Sequence, residues 1–144
     1  MRAIIEALIE AFIDSRKRLA AQFLKFAAVG AFNTVLDFGV YLWLTRSYAF
    51  WGAHIVGAAS VSFVLAATSS FLLNNFWTFG QDAAGWHRRV PKFFVVALGG
   101  LLWNAAILHL LTTAGVHDII AKLVATGVVL IWNFTLQKKW TFRA

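Results

Sequence analysis

The sequence predicts an all-α integral membrane protein with four transmembrane helices, and three observations support this fold class. First, 60% of the 144 residues are hydrophobic and 13% are charged, whereas soluble domains average about 25% charged residues. Second, four apolar stretches are long enough to cross a bilayer, for which a helix needs about 20 residues. Third, the basic residues, which give a net charge of +7, lie mostly between these stretches. Anionic lipid headgroups are their nearest partner there, and no nucleic-acid partner is expected.

Residues 1–22 are predicted to form an amphipathic helix on the cytoplasmic surface of the membrane. Apolar side chains recur at helical spacing from Ile4 to Ile13, with acidic residues on the other face. A signal peptide would have an uninterrupted apolar core, which Glu6 and Glu10 break. An interfacial helix fits this pattern better. The alternative is a helix that packs against another protomer or a partner protein.

Residues 23–144 are expected to form the membrane domain. Its four predicted spans cover residues 26–45, 51–73, 93–114 and 119–136. Several glycines interrupt these spans, but glycine is common in membrane helices because it lets backbones approach closely.

The distribution of basic residues predicts the orientation of the spans. One side carries Arg46 and, just inside the fourth span, Lys122. The other side carries Arg16, Lys17, Arg18, Lys25, Arg88, Arg89, Lys92, Lys138, Lys139 and Arg143. By the positive-inside rule, both termini and the central loop lie in the cytoplasm, as in a multi-pass protein of the cytoplasmic membrane.

The two halves of the chain resemble each other. KFAAV at residues 25–29 resembles KFFVV at 92–96, and NFWTF at 75–79 resembles KKWTF at 138–142. Because each half contributes two spans, the sequence predicts two parallel two-helix repeats, residues 23–79 and 92–142.

Two consequences follow from this repeat. Asp37 in the first span aligns with Asn104 in the third. Trp77 and Trp140 close the two repeats, and we expect these indoles to lie at the cytoplasmic membrane interface, where amphipathic aromatic rings are enriched.

Asp37 is the one acidic residue in the middle of a span, and Asn33 lies one turn before it on the same helical face. A charge at bilayer depth costs several kcal/mol, so such residues face the interior of a bundle and mark sites by default. Asp37 is interpreted either as a proton- or cation-linked carboxylate or as an acceptor for sugar hydroxyls. The structural alternative is a hydrogen-bonded acid that joins the first span to a neighbour such as Asn104.

Amide and ammonium groups are expected to gather at the cytoplasmic ends of the second and fourth spans. These residues are Asn74, Asn75, Asn133, Gln137, Lys138 and Lys139. Amides and cations suit phosphate and sugar oxygens. The alternative is helix capping combined with ordinary positive-inside residues. The sequence shows no catalytic or metal-binding motif and contains no Cys, so it predicts neither an enzyme, a cofactor nor a metal site.

The motifs that open and close the spans resemble those of the GtrA-like family. Residues 25–38 resemble its entry motif, and FLLNNFWTF at 71–79 resembles its exit motif, which recurs in weaker form at 133–142. The resemblance implies a role in cell-surface polysaccharide or glycolipid synthesis, beside a membrane-associated glycosyltransferase that loads a sugar onto polyprenyl phosphate. The family also includes membrane portions of dolichol-phosphate-mannose-synthase-like proteins. Exit motifs of the family often carry Asn-Arg before the Trp, where this chain has Asn74-Asn75 and Lys138-Lys139.

We therefore expect translocation of a polyprenyl-phosphate-linked sugar. The cytoplasmic amides and cations would capture the phosphate and sugar, and a polar seam of Asn33, Asp37 and Asn104 would meet the sugar hydroxyls while the prenyl tail stays in lipid. Four helices offer a thin seam, so we expect either a homo-oligomer or a lateral groove open to lipid.

Two other functions stay open at this point. One is a non-catalytic subunit that anchors and orients the glycosyltransferase. The other is a small proton-coupled exporter, which the cationic mouth disfavours because it would repel cationic cargo.

Overall fold

The computed structural model describes residues 1–143, except for the side chains of Val56 and Asp118. Every regular element in these residues is helical, and the chain divides into two units, Met1–Gly80 and Gln81–Ala144. The first unit contains α1 (Arg2–Ser47), α2 (Ala49–Ala53), α3 (Ile55–Leu73) and a π-helix, π1 (Asn74–Thr78). The second contains α4 (Trp86–Thr113), α5 (Asp118–Leu136) and a π-helix, π2 (Gln137–Thr141).

Four helical segments in the described residues are long and apolar enough to cross a membrane. They are α1, α3 with π1, α4, and α5 with π2. Large apolar side chains point outward from them, with Val35 72% and Leu123 68% exposed. In a bilayer these side chains face lipid, while the helices satisfy their own backbone groups. The predicted all-α membrane fold with four spans is confirmed.

In the first unit, α1 and α3 pack antiparallel. The side-chain amide of Gln22 donates to the carbonyl of Thr78 at 3.3 Å. Next to this bond, the rings of Phe26 and Phe79 meet edge to face at 6.2 Å. Small residues on α3, namely Ala58, Ser62 and Ala66, are buried at four-residue intervals. Small side chains at this spacing let two membrane helices approach closely.

The second unit contains the same kind of pair, formed by α4 and α5. The rings of Phe93 and Phe142 meet edge to face at 6.2 Å. The indole of Trp132 donates to the carbonyl of Val96 at 3.4 Å. Ala121 and Ala125 on α5 are fully buried, in the manner of the small residues on α3.

The N-terminal segment is helical, and α1 runs from it into the first span without interruption. The side chains of residues 1–21 are all exposed. Ion pairs join Arg2 to Glu6 at 3.7 Å and Arg18 to Asp14 at 2.6 Å along its surface. The location of this segment on the membrane surface stays a prediction.

In each unit the second spanning helix continues beyond the end that the sequence predicted, which is residue 73 for α3 and residue 136 for α5. Each continues for five residues as a π-helix. In π1 the amide of Phe79 donates to the carbonyl of Asn74 at 2.9 Å, and in π2 the amide of Phe142 donates to the carbonyl of Gln137 at 2.8 Å. These bonds span five residues, so each turn is wider than an α-helical turn. Hydropathy could not reveal this change because it does not record hydrogen-bond spacing.

Gly100 lies where α4 contacts α5, and it generates a stability prediction. A Cβ atom there would lie 2.7 Å from Oδ1 of Asn133 and 3.1 Å from Cγ1 of Val129. We expect Gly100→Ala to destabilise the protein by about 1–3 kcal/mol through overpacking. Gly30→Ala in α1 is the matched control, because no heavy atom lies within 4 Å of the added Cβ. Thermal unfolding in detergent measures both, and equal melting temperatures for the two variants would contradict this packing.

Candidate functional site

The end of each unit that contains its π-helix, called here the π-helix end, carries the predicted amides. In the first unit, Asn74 and Asn75 are buried. The side-chain amide of Asn74 donates to the hydroxyl of Ser70 at 3.3 Å, and its Oδ1 accepts from the hydroxyl of Thr78 at 2.9 Å. Asn74 is therefore hydrogen-bonded within its own helix, and ligand binding by this pair of residues stays a prediction.

In the second unit, three polar residues follow one another by one turn along α5 and π2. Gln137, which is 1% exposed, donates its side-chain amide to the carbonyl of Phe93 at 3.2 Å and so connects π2 to α4. Within the described part of the chain, Oε1 of Gln137, Oδ1 of Asn133 and Oγ1 of Thr141 are buried without a hydrogen-bond partner. Buried polar atoms are nearly always paired in proteins, so each of these calls for a physical reason.

Both indoles at the π-helix ends carry a lysine against them. Nζ of Lys25 lies 5.6 Å from the ring centre of Trp77, and Nζ of Lys92 lies 5.5 Å from that of Trp140. Both tryptophans are about half exposed. An ammonium over an indole face is a favourable cation–π arrangement. The two units therefore share this contact as well as the pair of phenylalanine rings.

A pocket of about 440 Å³ lies at the π-helix end of the second unit. Its lining includes Trp140, Thr141 and five cationic side chains, those of Arg88, Arg89, Lys92, Lys139 and Arg143. We call it the cation pocket.

The structure separates the two lysines that the sequence grouped together. Lys139 lines the cation pocket, whereas Nζ of Lys138 lies 6.0 Å from the ring centre of Phe134. The sequence analysis used four other residues of this lining for orientation alone and did not predict them as site residues, namely Arg88, Arg89, Lys92 and Arg143. Their position in the sequence could have revealed them. Arg88, Arg89 and Lys92 precede the third span on the side of the membrane where Lys139 and Arg143 follow the fourth.

A second pocket, of about 210 Å³, lies in the first unit between α1 and α3. We call it the Asp37 pocket; it is lined by Asp37, Phe38, Tyr41, Ala59 and Ser62. Within the described residues, the carboxylate of Asp37 forms no hydrogen bond or ion pair. The sequence analysis missed Tyr41 and Ser62, although Tyr41 follows Asp37 by one helical turn.

The other two residues of the predicted polar seam have different surroundings. Asn33 is buried, and its side-chain amide donates to the carbonyl of Val29 at 2.8 Å on its own helix. Asn104 is half-buried on α4. The seam stays a prediction. Among the described residues, no cluster of three His, Asp or Glu side chains could hold a metal ion.

Comparison with known proteins identifies the family. Residues 25–142 match the GtrA/DPMS transmembrane domain. The chain belongs to this family. One curated relative, the uncharacterized membrane protein YngA of Bacillus subtilis (strain 168), is 25% identical over 118 residues, which cover 82% of this chain and 77% of the relative. The match confirms the resemblance seen in the entry and exit motifs, and membrane domains of this family are generally non-catalytic.

The contrasting surroundings of Thr78 and Thr141 predict opposite sensitivities to the same substitution. Thr78→Val should destabilise the protein by about 1–3 kcal/mol, because it leaves the buried Oδ1 of Asn74 without its donor. Thr141→Val removes a hydroxyl that has no partner in the described chain, so its melting temperature should stay close to that of the wild type. Thermal unfolding of both variants in detergent is the measurement. A larger loss for Thr141→Val would show that its hydroxyl is hydrogen-bonded.

Proposed function

We propose that this protein moves a polyprenyl-phosphate-linked sugar across the cytoplasmic membrane. The observation that carries the proposal is the Asp37 pocket, which lies between α1 and α3 within the predicted spans. A half-buried carboxylate without a protein partner is costly at membrane depth. Such a group is retained where a cargo supplies the missing hydrogen-bond donors.

The chemistry of the Asp37 pocket suits a sugar. An ionised carboxylate accepts hydrogen bonds, and the hydroxyls of Tyr41 and Ser62 in the same lining can both donate and accept. A hexose presents several hydroxyls with the same dual capacity. Phe38 is 64% exposed and belongs to the lining, which supports a pocket that opens towards lipid at the side of the helical pair.

The protein also offers suitable surroundings to the prenyl chain and the phosphate of the cargo. The outward apolar side chains of the spans offer a prenyl chain the same environment as lipid, so only the sugar and the phosphate need polar partners. The cation pocket, lined by Lys139 and its neighbours, offers positive charge to the phosphate. The same charge disfavours a cationic cargo and hence the exporter. Membership of the GtrA/DPMS family is consistent with a role in polyprenyl-sugar processes.

A second candidate function is supported by the N-terminal segment. Its side chains are exposed on every face up to residue 21, and Leu8 and Phe12 are among its apolar residues. Such a surface suits a subunit that holds a membrane-associated glycosyltransferase beside its lipid substrate. In this case the Asp37 pocket would have no cargo to bind.

Transport in proteoliposomes that contain this protein alone tests the proposal. The probe is a short-chain polyprenyl-phosphate hexose, and the measurement is the rate at which it crosses the bilayer relative to protein-free vesicles. We expect transport by the wild type and a loss of about 10- to 100-fold for Asp37→Asn, because a hydrogen bond to a charged group contributes about 1.5–3 kcal/mol. Asp14→Asn, which makes the same change on the exposed N-terminal helix, is the matched control.

The outcomes separate the candidates. No transport by folded, inserted wild-type protein would overturn the translocation function and favour the anchoring subunit. Transport that Asp37→Asn leaves unchanged would remove the Asp37 pocket from the mechanism.

The proposal also requires that both π-helix ends face the cytoplasm. The chain contains no Cys, so single cysteines report orientation directly. Ala84→Cys lies between π1 and α4, and Ala114→Cys follows α4. We expect an impermeant maleimide to label Ala114→Cys in intact cells and Ala84→Cys in inverted vesicles. The reverse pattern would place the cation pocket on the wrong side for a cytoplasmic substrate.

A further inference from the structure

The cation pocket lies entirely within the second unit, and its lining carries strong positive charge. Arg88, Arg89 and Lys92 come from the start of α4, and Lys139 and Arg143 come from π2 and the chain after it. The described lining includes no acidic side chain. Five like charges around one space of about 440 Å³ repel one another. An anion between them would relieve this repulsion.

Two polar groups in the lining are buried and have no hydrogen-bond partner in the described chain. They are Nε of Arg89 and Oγ1 of Thr141, and Thr141 is only 2% exposed. Both groups can donate a hydrogen bond. A buried donor without an acceptor destabilises the folded protein. These two donors therefore indicate where an acceptor belongs.

The guanidinium of Arg89 is held in place by the loop that precedes α4. Its terminal nitrogen donates to the carbonyl of Asp82, while the Asp82 carboxylate accepts from the amide of Ala84 at 3.0 Å. Gly85 has a φ angle of +74°, a conformation that glycine adopts without strain. This turn leads into α4 and lies beside Arg89. One nitrogen of Arg89 is thus engaged by the protein, and Nε is left for a ligand.

The sequence of the first unit does not repeat the full set of cations that lines this pocket. In the alignment of the two halves, three cations of the pocket align with uncharged residues. Arg89 aligns with Gln22, Lys139 with Phe76, and Arg143 with Gly80. The hydroxyl of Thr78, which aligns with Thr141, already donates to Asn74. Lys25 aligns with Lys92 and keeps the indole contact. Three lining residues, Lys92, Trp140 and Thr141, therefore have counterparts of the same type in the first unit, whereas Arg89, Lys139 and Arg143 do not.

We infer that the cation pocket is a phosphate-binding site, in which Arg89 Nε and Thr141 Oγ1 donate directly to phosphate oxygens and Lys92, Lys139 and Arg143 balance their charge. Phosphate oxygens accept several charge-assisted hydrogen bonds at once, and arginine and lysine are their usual partners in proteins. The assignment of this phosphate to a lipid rests on the proposed function. The phosphate chemistry itself is shared with free phosphate.

Binding to the full chain in neutral detergent tests the inference. The probes are farnesyl phosphate, farnesol and inorganic phosphate, and isothermal titration gives each dissociation constant. We expect farnesyl phosphate to bind at least about tenfold more tightly than farnesol, since loss of one charge-assisted contact costs about 1.5–3 kcal/mol. Tight binding of farnesyl phosphate with weak binding of inorganic phosphate assigns the site to a lipid. Equal binding of the two supports the phosphate site and assigns it to free phosphate.

Two matched pairs of variants locate the site. Lys92→Gln should weaken farnesyl phosphate binding about tenfold, whereas Lys25→Gln, which removes the equivalent lysine from the other indole, should leave it unchanged. Thr141→Val should weaken binding without lowering the melting temperature. Thr78→Val should lower the melting temperature without weakening binding. Equal effects within each pair, or equal binding of farnesol and farnesyl phosphate, would overturn the inference.

Failure of this inference is distinguishable from failure of the proposed function. Phosphate binding that depends on Lys92 and Thr141, in a protein that transports nothing, would support the site and overturn translocation. Transport that both Lys92→Gln and Thr141→Val leave intact would support translocation and overturn the site.

Discussion

The rest of the structure depends on one constraint, which is that a polar group entering the bilayer must find its partner inside the protein. Hydroxyls along the spans meet this constraint locally. Thr34, Thr68 and Thr126 each donate to a backbone carbonyl four residues earlier, at 2.7–2.9 Å. Longer side chains meet it across a helical pair, as Gln137 does with Phe93. Each unit is thereby joined by polar contacts at its π-helix end and by small, apolar contacts elsewhere.

Both proposals rest on three polar groups that do not meet this constraint within the described chain. The Asp37 carboxylate, Arg89 Nε and Thr141 Oγ1 lack partners within the described chain although they are partly or fully removed from solvent. A carboxylate accepts, whereas a guanidinium and a hydroxyl donate. The Asp37 pocket therefore offers a hydrogen-bond acceptor, and the cation pocket offers donors and positive charge.

The sequence was sufficient to predict the class of fold, because the length of an apolar run determines whether a helix can cross a bilayer. It also singled out Asp37, Gln137 and Lys139 as exceptional polar residues. It did not predict the π-helices that begin at Asn74 and Gln137. The residue types there do not show whether a backbone amide bonds to the carbonyl four or five residues earlier. Nor did it separate Lys139 from Lys138, because adjacency in the sequence does not show which of two neighbouring side chains lines a pocket with Arg89. The parallel repeat and the orientation stay predictions, as both concern the arrangement of the chain in a membrane.

The length of α1 sets a distance scale for anything that works beside this protein. Its 46 residues extend for about 69 Å at 1.5 Å per residue, more than twice the hydrocarbon thickness of about 30 Å. The 24 residues before Phe26 account for about 36 Å of that length. A straight α1 upright in the membrane therefore holds its first residues about as far above the surface as the hydrocarbon core is thick. A bend near residue 22 would lay the same segment flat and turn a spacer into an anchor.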